Sequence, residues 1–135
     1  MSTVEERATI RLRPADVESA LRTVLSARTL TGNKVCNTQE EELGVIHDIM
    51  LDIRGGRISY AVLSSGGFLG MGDRLFAIPW SALTLDTTNK RFVLDVDVKR
   101  LKAAPGFDKD HWPDMADPLW ASGVQSYYGT RSYPD

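Results

Sequence analysis

Leu43-Gly-Val-Ile-His-Asp-Ile-Met-Leu-Asp-Ile53, Arg54-Gly-Gly-Arg57 and Ile58-Ser-Tyr-Ala-Val-Leu-Ser64 run together, and this stretch decides the fold class. Val45, Ile49, Leu51 and Ile53 recur with a period of two, the pattern of a strand with one apolar face. Ile46 falls on the other parity, which places a bulge or change of face near His47-Asp48. Two adjacent glycines between the runs tolerate positive φ and predict a tight hairpin. In the return strand Ile58, Tyr60 and Val62 share one face while Ala61 and Leu63 take the other. Apolar groups on both sides predict a strand that is central or covered by another element.

The same period continues outward. Thr29 to Val35 reads as an earlier strand, and the polar Asn37-Thr-Gln-Glu-Glu-Glu42 as its turn. Leu75 to Ile78 is a further strand, which Pro79 ends because proline cannot donate to a ladder. Leu83 to Asp86 adds another, and Thr87-Thr-Asn-Lys90 turns into Phe92, Leu94, Val96 and Val98 with Val93, Asp95 and Asp97 outward. The expectation is a mainly β fold: a small closed or partly open antiparallel β-barrel of about six strands with short N- and C-terminal helices.

The flanks differ. Residues 1–27 read as an N-terminal segment, with a short strand from Ala8 to Leu12 and a helix opened by Pro14 that carries Val17, Leu21, Val24 and Leu25. Residues 28–104 are the barrel, closing on a short helix from Val98 to Ala104. Residues 105–135 form an aromatic and acidic extension. There Asp117 and Pro118 fit N-cap and N1, Trp120, Val124 and Tyr127 follow at i, i+4 and i+7, and Gly129 fits the C′ stop.

At 135 residues with 42% hydrophobic and 25% charged side chains, the chain has the composition of one ordinary globular domain. Sixteen Lys plus Arg against eighteen Asp plus Glu leave a net charge of -2, so direct contact with nucleic acid is disfavoured. Arg7, Arg11, Arg13, Arg22 and Arg28 cluster near the N-terminus, but Glu5, Glu6, Asp16 and Glu18 intersperse them, giving a solvated face. Met1 to Arg13 lacks the apolar run of a secretory signal, and charged residues interrupt every hydrophobic segment before it reaches the ~20 residues of a spanning helix. A single cysteine, Cys36, excludes an internal disulfide, and the cytoplasm is the expected compartment.

Four ordered blocks resemble the PRC-barrel domain family over about Ala27 to Ala104: Leu43 to Asp52, Gly56 to Ser64, Gly66-Gly-Phe-Leu-Gly-Met-Gly72, and Phe76-Ala-Ile-Pro-Trp-Ser-Ala-Leu83. The resemblance implies a small twisted β-barrel. The family includes the cytoplasmic domain of the photosynthetic reaction centre H subunit and the C-terminal domain of the ribosome maturation factor RimM. This sequence shows no transmembrane helix like the first and only a short segment where the second has another domain. It looks like a stand-alone bacterial member. The tail from Phe107 to Trp120 is similar to extensions after the barrel in such members.

Candidate chemistry is sparse. The glycine-rich loop Gly66 to Gly72 lacks the Lys-Ser/Thr ending of a P-loop and feeds a strand, not a helix. Its apolar Phe68, Leu69 and Met71 either fold back over the barrel end or insert into a partner subunit. Asp108, Asp110, His111, Asp114 and Asp117 crowd one segment, but the sixth position from Asp108 is Pro113 where a Ca²⁺ loop needs Gly. Capping of a helix by Asp114 or Asp117 is the simpler role. His47 and Asp48 point to opposite strand faces unless a bulge intervenes, and Cys36 needs a histidine to approach it in space. Trp112, Trp120, Tyr127, Tyr128 and Tyr133 make the tail sticky, either for its own barrel or for a partner.

These residues predict a protein that is not an enzyme and carries no cofactor and no metal. The expected role is a protein-interaction or adaptor module of the PRC-barrel type, homodimeric and docked on a larger protein complex. Its candidate interface is Phe68, Leu69, Met71, Trp112 and Trp120. The resemblance also implies two partner settings, membrane-bound electron-transfer complexes and ribosome maturation or RNA metabolism. A metal-dependent activity of the Asp/His tail is the remaining alternative.

Overall fold

The structure is a computed structural model that describes residues 11–12, 24–66 and 73–130. The helix expected from Pro14, the loop residues Phe68, Leu69 and Met71, and Tyr133 lie outside the described residues. The described elements are β1 (Arg11–Leu12), α1 (Ala27–Leu30), β2 (Lys34–Cys36), β3 (Glu42–Asp52), β4 (Arg57–Ser64) and β5 (Leu75–Pro79), then a 3-10 turn (Trp80–Ala82). They are followed by β6 (Leu83–Asp86), β7 (Arg91–Leu94), α2 (Val98–Lys102) and α3 (Pro118–Tyr127).

The strands form one sheet in the order β1-β6-β7-β2-β3-β4-β5. Six of them make a strongly curled half-barrel, and the two-residue β1 adds an edge. The sheet is mixed, which corrects the antiparallel expectation. β2 pairs antiparallel with β3 but parallel with β7, and β1 pairs parallel with β6. Alternation of apolar and polar residues reports which face a side chain takes and carries no information on strand direction.

A second correction concerns Thr29 to Val35. Ser26 caps α1 by accepting the Arg28 N–H at 3.2 Å, and the Thr29 and Thr31 hydroxyls donate to the carbonyls of Ser26 and Arg28 at 2.7 and 2.8 Å. These local bonds turn threonines that favour strands into a short helix. Gly32, at φ +84°, then redirects the chain, leaving only Lys34–Cys36 in the ladder.

The long hairpin forms as its sequence predicts. Register shifts between Ile46 and Asp48, and again between Met50 and Leu51, bend β3 against β4. Leu43 and Ile46 are fully buried, whereas the odd-parity residues lose cover toward the hairpin tip: Val45 and Ile49 are half-buried and Leu51 and Ile53 exposed. On β4, Tyr60, Ala61, Val62 and Leu63 are all buried. Ala61 and Leu63 face the main core with Phe76, Ile78, Phe92 and Leu94. Tyr60 faces the other way, into a smaller cluster with Ala77 and Val124 that Phe107, Met115 and Trp120 complete. The covering element is therefore the C-terminal extension.

That extension is anchored at both ends. Phe107 exchanges backbone hydrogen bonds with Leu75 at 2.9 Å in both directions. Asp117 accepts the Leu119 N–H at 3.0 Å as N-cap, Pro118 opens α3, and Gly129 takes φ +70° beyond Tyr128. At the far end Arg100 sits 4.4 Å over the Tyr127 ring and donates to the Tyr127 carbonyl, while the Tyr127 hydroxyl donates to the Arg100 carbonyl. No helix among the described residues is long and apolar enough to cross a membrane.

Candidate interaction surface

An open groove of about 750 Å³ runs between the β3–β4 hairpin and α3. Its apolar lining includes Met50, Ile58, Trp80, Met115 and Pro118, and Arg54, Arg57 and Gln125 supply polar groups. The hairpin wall is stiff. Asp52 accepts the Gly55 N–H at 3.0 Å and Arg57 Nε at 3.1 Å, and its carbonyl accepts the Gly56 N–H at 2.9 Å. The Gly55 N–H, and behind it the Arg57 guanidinium, hold the Asp52 carboxyl below its ordinary range.

This hairpin presents apolar side chains to solvent. Ile53 is 84% exposed and Leu51 59%, and both line the groove. Full burial of such a side chain is worth about 1.5–3 kcal/mol, so the uncovered pair is a standing drive toward association. Their position escaped the sequence reading because they share the parity of the rest of β3. The usable signal was Ile53 itself, an apolar residue flanking the Arg54-Gly-Gly tip.

The residues singled out from the sequence separate in space. Trp120 packs edge-on against Tyr60 at 5.3 Å, in the cluster under α3. Trp112 lies earlier in the extension, 5.2 Å from the Phe107 ring and 6.3 Å from His47, with Nε1 donating to the Lys109 carbonyl and 36% of its surface exposed. His47 and Asp48 are both exposed at the bulge of β3. The acidic tail residues serve locally. Asp114 accepts the Ala116 N–H at 3.0 Å, Asp117 caps α3, and Asp108 lies 3.8 Å from His111 with both in solvent. Among the described residues, no three His, Cys, Asp or Glu side chains are placed to hold a metal ion.

Cys36 is buried in β2, with Sγ directed at the Phe92 carbonyl at 3.8 Å. Burial pushes its thiol up from the ordinary value, and Arg91 opposes this only in part. A thiol raised on folding keeps its contribution to stability at neutral pH and loses it as pH rises past the ordinary thiol range. Iodoacetamide at pH 8 should therefore label Cys36 on the order of a hundredfold more slowly in the folded protein than in denaturant, by intact mass. Equal rates would contradict the burial.

At the opposite end of the curl, Arg91 donates to Glu40 at 2.5 and 3.0 Å and to Asp86 at 3.0 Å. This three-way ionic contact was not anticipated from sequence, since the partners lie on separate turns.

The curled mixed sheet, with its long bulged hairpin, has a recognised counterpart. Residues 22–101 match the PRC-barrel domain. The chain belongs to the PRC-barrel domain family. The match ends at α2, so the extension that covers Tyr60 lies beyond it. No curated protein matches the chain. Among solved structures, the chain is similar to a 16S ribosomal RNA processing protein, RimM, from Pseudomonas aeruginosa at 23% identity and a TM-score of 0.43. The similarity covers 56% of this chain and 45% of that one, so this PRC-barrel spans less than half of its neighbour.

Proposed function

We propose that this PRC-barrel chain is a non-enzymatic protein-interaction module that pairs with itself and docks on a larger protein assembly. The observation that carries the reading is the exposure of Ile53 and Leu51 beside an open, mainly apolar groove. A rigid knob next to a concavity is the form of an interface, with apolar anchors at its centre and charged groups at its rim. The lining supplies the hydroxyls of Ser59, Ser81, Ser122 and Tyr60 and one carboxylate, Asp52, which is engaged by Gly55 and Arg57 within the hairpin.

The test is affinity purification of the tagged full chain from its native cells, beside Ile53→Asp, with co-purifying chains identified by mass spectrometry. The expected result is a defined set of protein partners retained by the native chain and lost with Ile53→Asp, whose folding is checked by circular dichroism. Nuclease treatment separates partners bridged by RNA from those held directly. Recovery of no other chain, or of the same set with both proteins, would overturn the reading.

A further inference from the structure

The reading as an interaction module leaves open what the groove receives, and the walls of the groove supply an answer. One wall is the β3–β4 hairpin, carrying Leu51, Ile53 and Arg54. Asp52 engages Arg57 at 3.1 Å, whereas Arg54 has no carboxylate in ion-pair range among the described residues. The other wall is the start of α3 and the turn before it, where Met115, Ala116 and Pro118 line the groove. Asp114 and Asp117 flank these residues in solvent, each using one carboxylate oxygen on a local N–H and leaving the other for a cation from outside. The groove thus has a protruding wall that carries Arg54 and a receiving wall of neutral residues whose margin is acidic.

A patch of this kind is complementary to itself. In a two-fold dimer each contact occurs twice, residue i on j and j on i, a condition that a knob and a hole of opposite charge side by side on one surface satisfy. We infer that the groove is filled by the β3–β4 hairpin of a second copy of this chain. Ile53 of one copy lies over Met115 and Pro118 of the other, and Arg54 meets Asp114, with Asp117 behind it. The same contacts repeat across the axis. Asp52 and its bonds to Gly55, Gly56 and Arg57 keep the inserted tip in one shape before it docks, which lowers the ordering cost of association. A uniformly basic ligand would meet Arg54, and a nucleic acid would meet the Asp114–Asp117 wall; only an occupant carrying both signs satisfies both walls.

Sedimentation equilibrium of the full chain over a range of concentrations tests this. The native protein is expected to dimerise, and Arg54→Glu and Asp114→Arg should each weaken the dimer about tenfold or more, with unchanged circular dichroism. Mixing these two variants should restore a dimer, because each new charge then faces its opposite across the axis. A monomer at every concentration would overturn the proposal and with it the self-pairing half of the module reading, while docking on foreign partners keeps its own test by co-purification. A dimer insensitive to both charge reversals, or a mixture that fails to recover, would place the self-contact elsewhere and overturn it equally.

Discussion

Replacing Gly44 with alanine is expected to cost about 3–5 kcal/mol, lowering the melting temperature by roughly 10 °C or more. Gly44 lies in β3 opposite Val35, where the pairing with β2 shifts register. Its φ is +150°, outside the range that side chains readily adopt. A Cβ there would stand 2.1 Å from the Ser64 carbonyl oxygen and 3.1 Å from the Leu63 side chain. The clash is with backbone of the neighbouring strand, which can move only if β4 separates from β3. Backbone strain and overpacking therefore add. Gly32→Ala is the matched control: its φ is also positive, at +84°, but a Cβ there meets nothing within 4 Å. It should lose only the conformational part, about 1 kcal/mol. Thermal melts of the two variants decide the matter, and equal losses would show that the close approach to Ser64 contributes nothing.

Gly44 also marks where the sequence stopped being informative. The β3–β4 hairpin was legible because alternation, a glycine pair and a parity break at Ile46 are local, and the observed bulge falls between Ile46 and Asp48. α3 was legible for the same reason, since Asp117, Pro118 and Gly129 each act within one turn of chain. A glycine inside a strand can mark a bulge or a close backbone approach, but only the pairing with β2 and β4 shows which. Thr29 to Val35 misled because the Ser26 cap and threonine hydroxyls bonded back to carbonyls three residues earlier accompany a short helix where strand propensity pointed to a strand. At the site, apolar residues on both faces of β4 pointed to a cover, but Trp120, read as a candidate interface residue, packs on Tyr60 within that cover. That Ile53 overhangs the sheet depends on where the ladder ends in space, which no periodicity encodes.

Arg91→Ala should be the most damaging charge substitution among the described residues, at about 3 kcal/mol. Asp86 is 1% exposed at the end of β6, with its carboxylate on Arg91 Nε at 3.0 Å and on Asn89 at 2.8 and 3.1 Å. Removing the guanidinium takes the Arg91 cation away from a buried carboxylate, the costly half of a broken buried pair. Arg91 also reaches Glu40, in the turn between β2 and β3 whose Asn37 side chain accepts the N–H groups of Gln39 and Glu41. One residue thus ties the β6–β7 turn to the β2–β3 turn, beside the central seam where β2 and β7 pair in parallel. Hydrogen bonding and charge from Arg91 hold the Glu40 carboxyl below its ordinary range. Its contribution is therefore present above that range and lost as pH falls through the lowered folded value. Glu40 is exposed whereas Asp86 is buried, so the tie to Asp86 carries the main effect. Adding Asp86→Asn to Arg91→Ala removes the stranded charge and should recover stability relative to Arg91→Ala alone, measured by urea unfolding at pH 7. If Arg91→Ala costs less than about 1 kcal/mol, or the second substitution makes matters worse, the contact behaves as a surface ion pair and Asp86 draws its stabilisation from other donors.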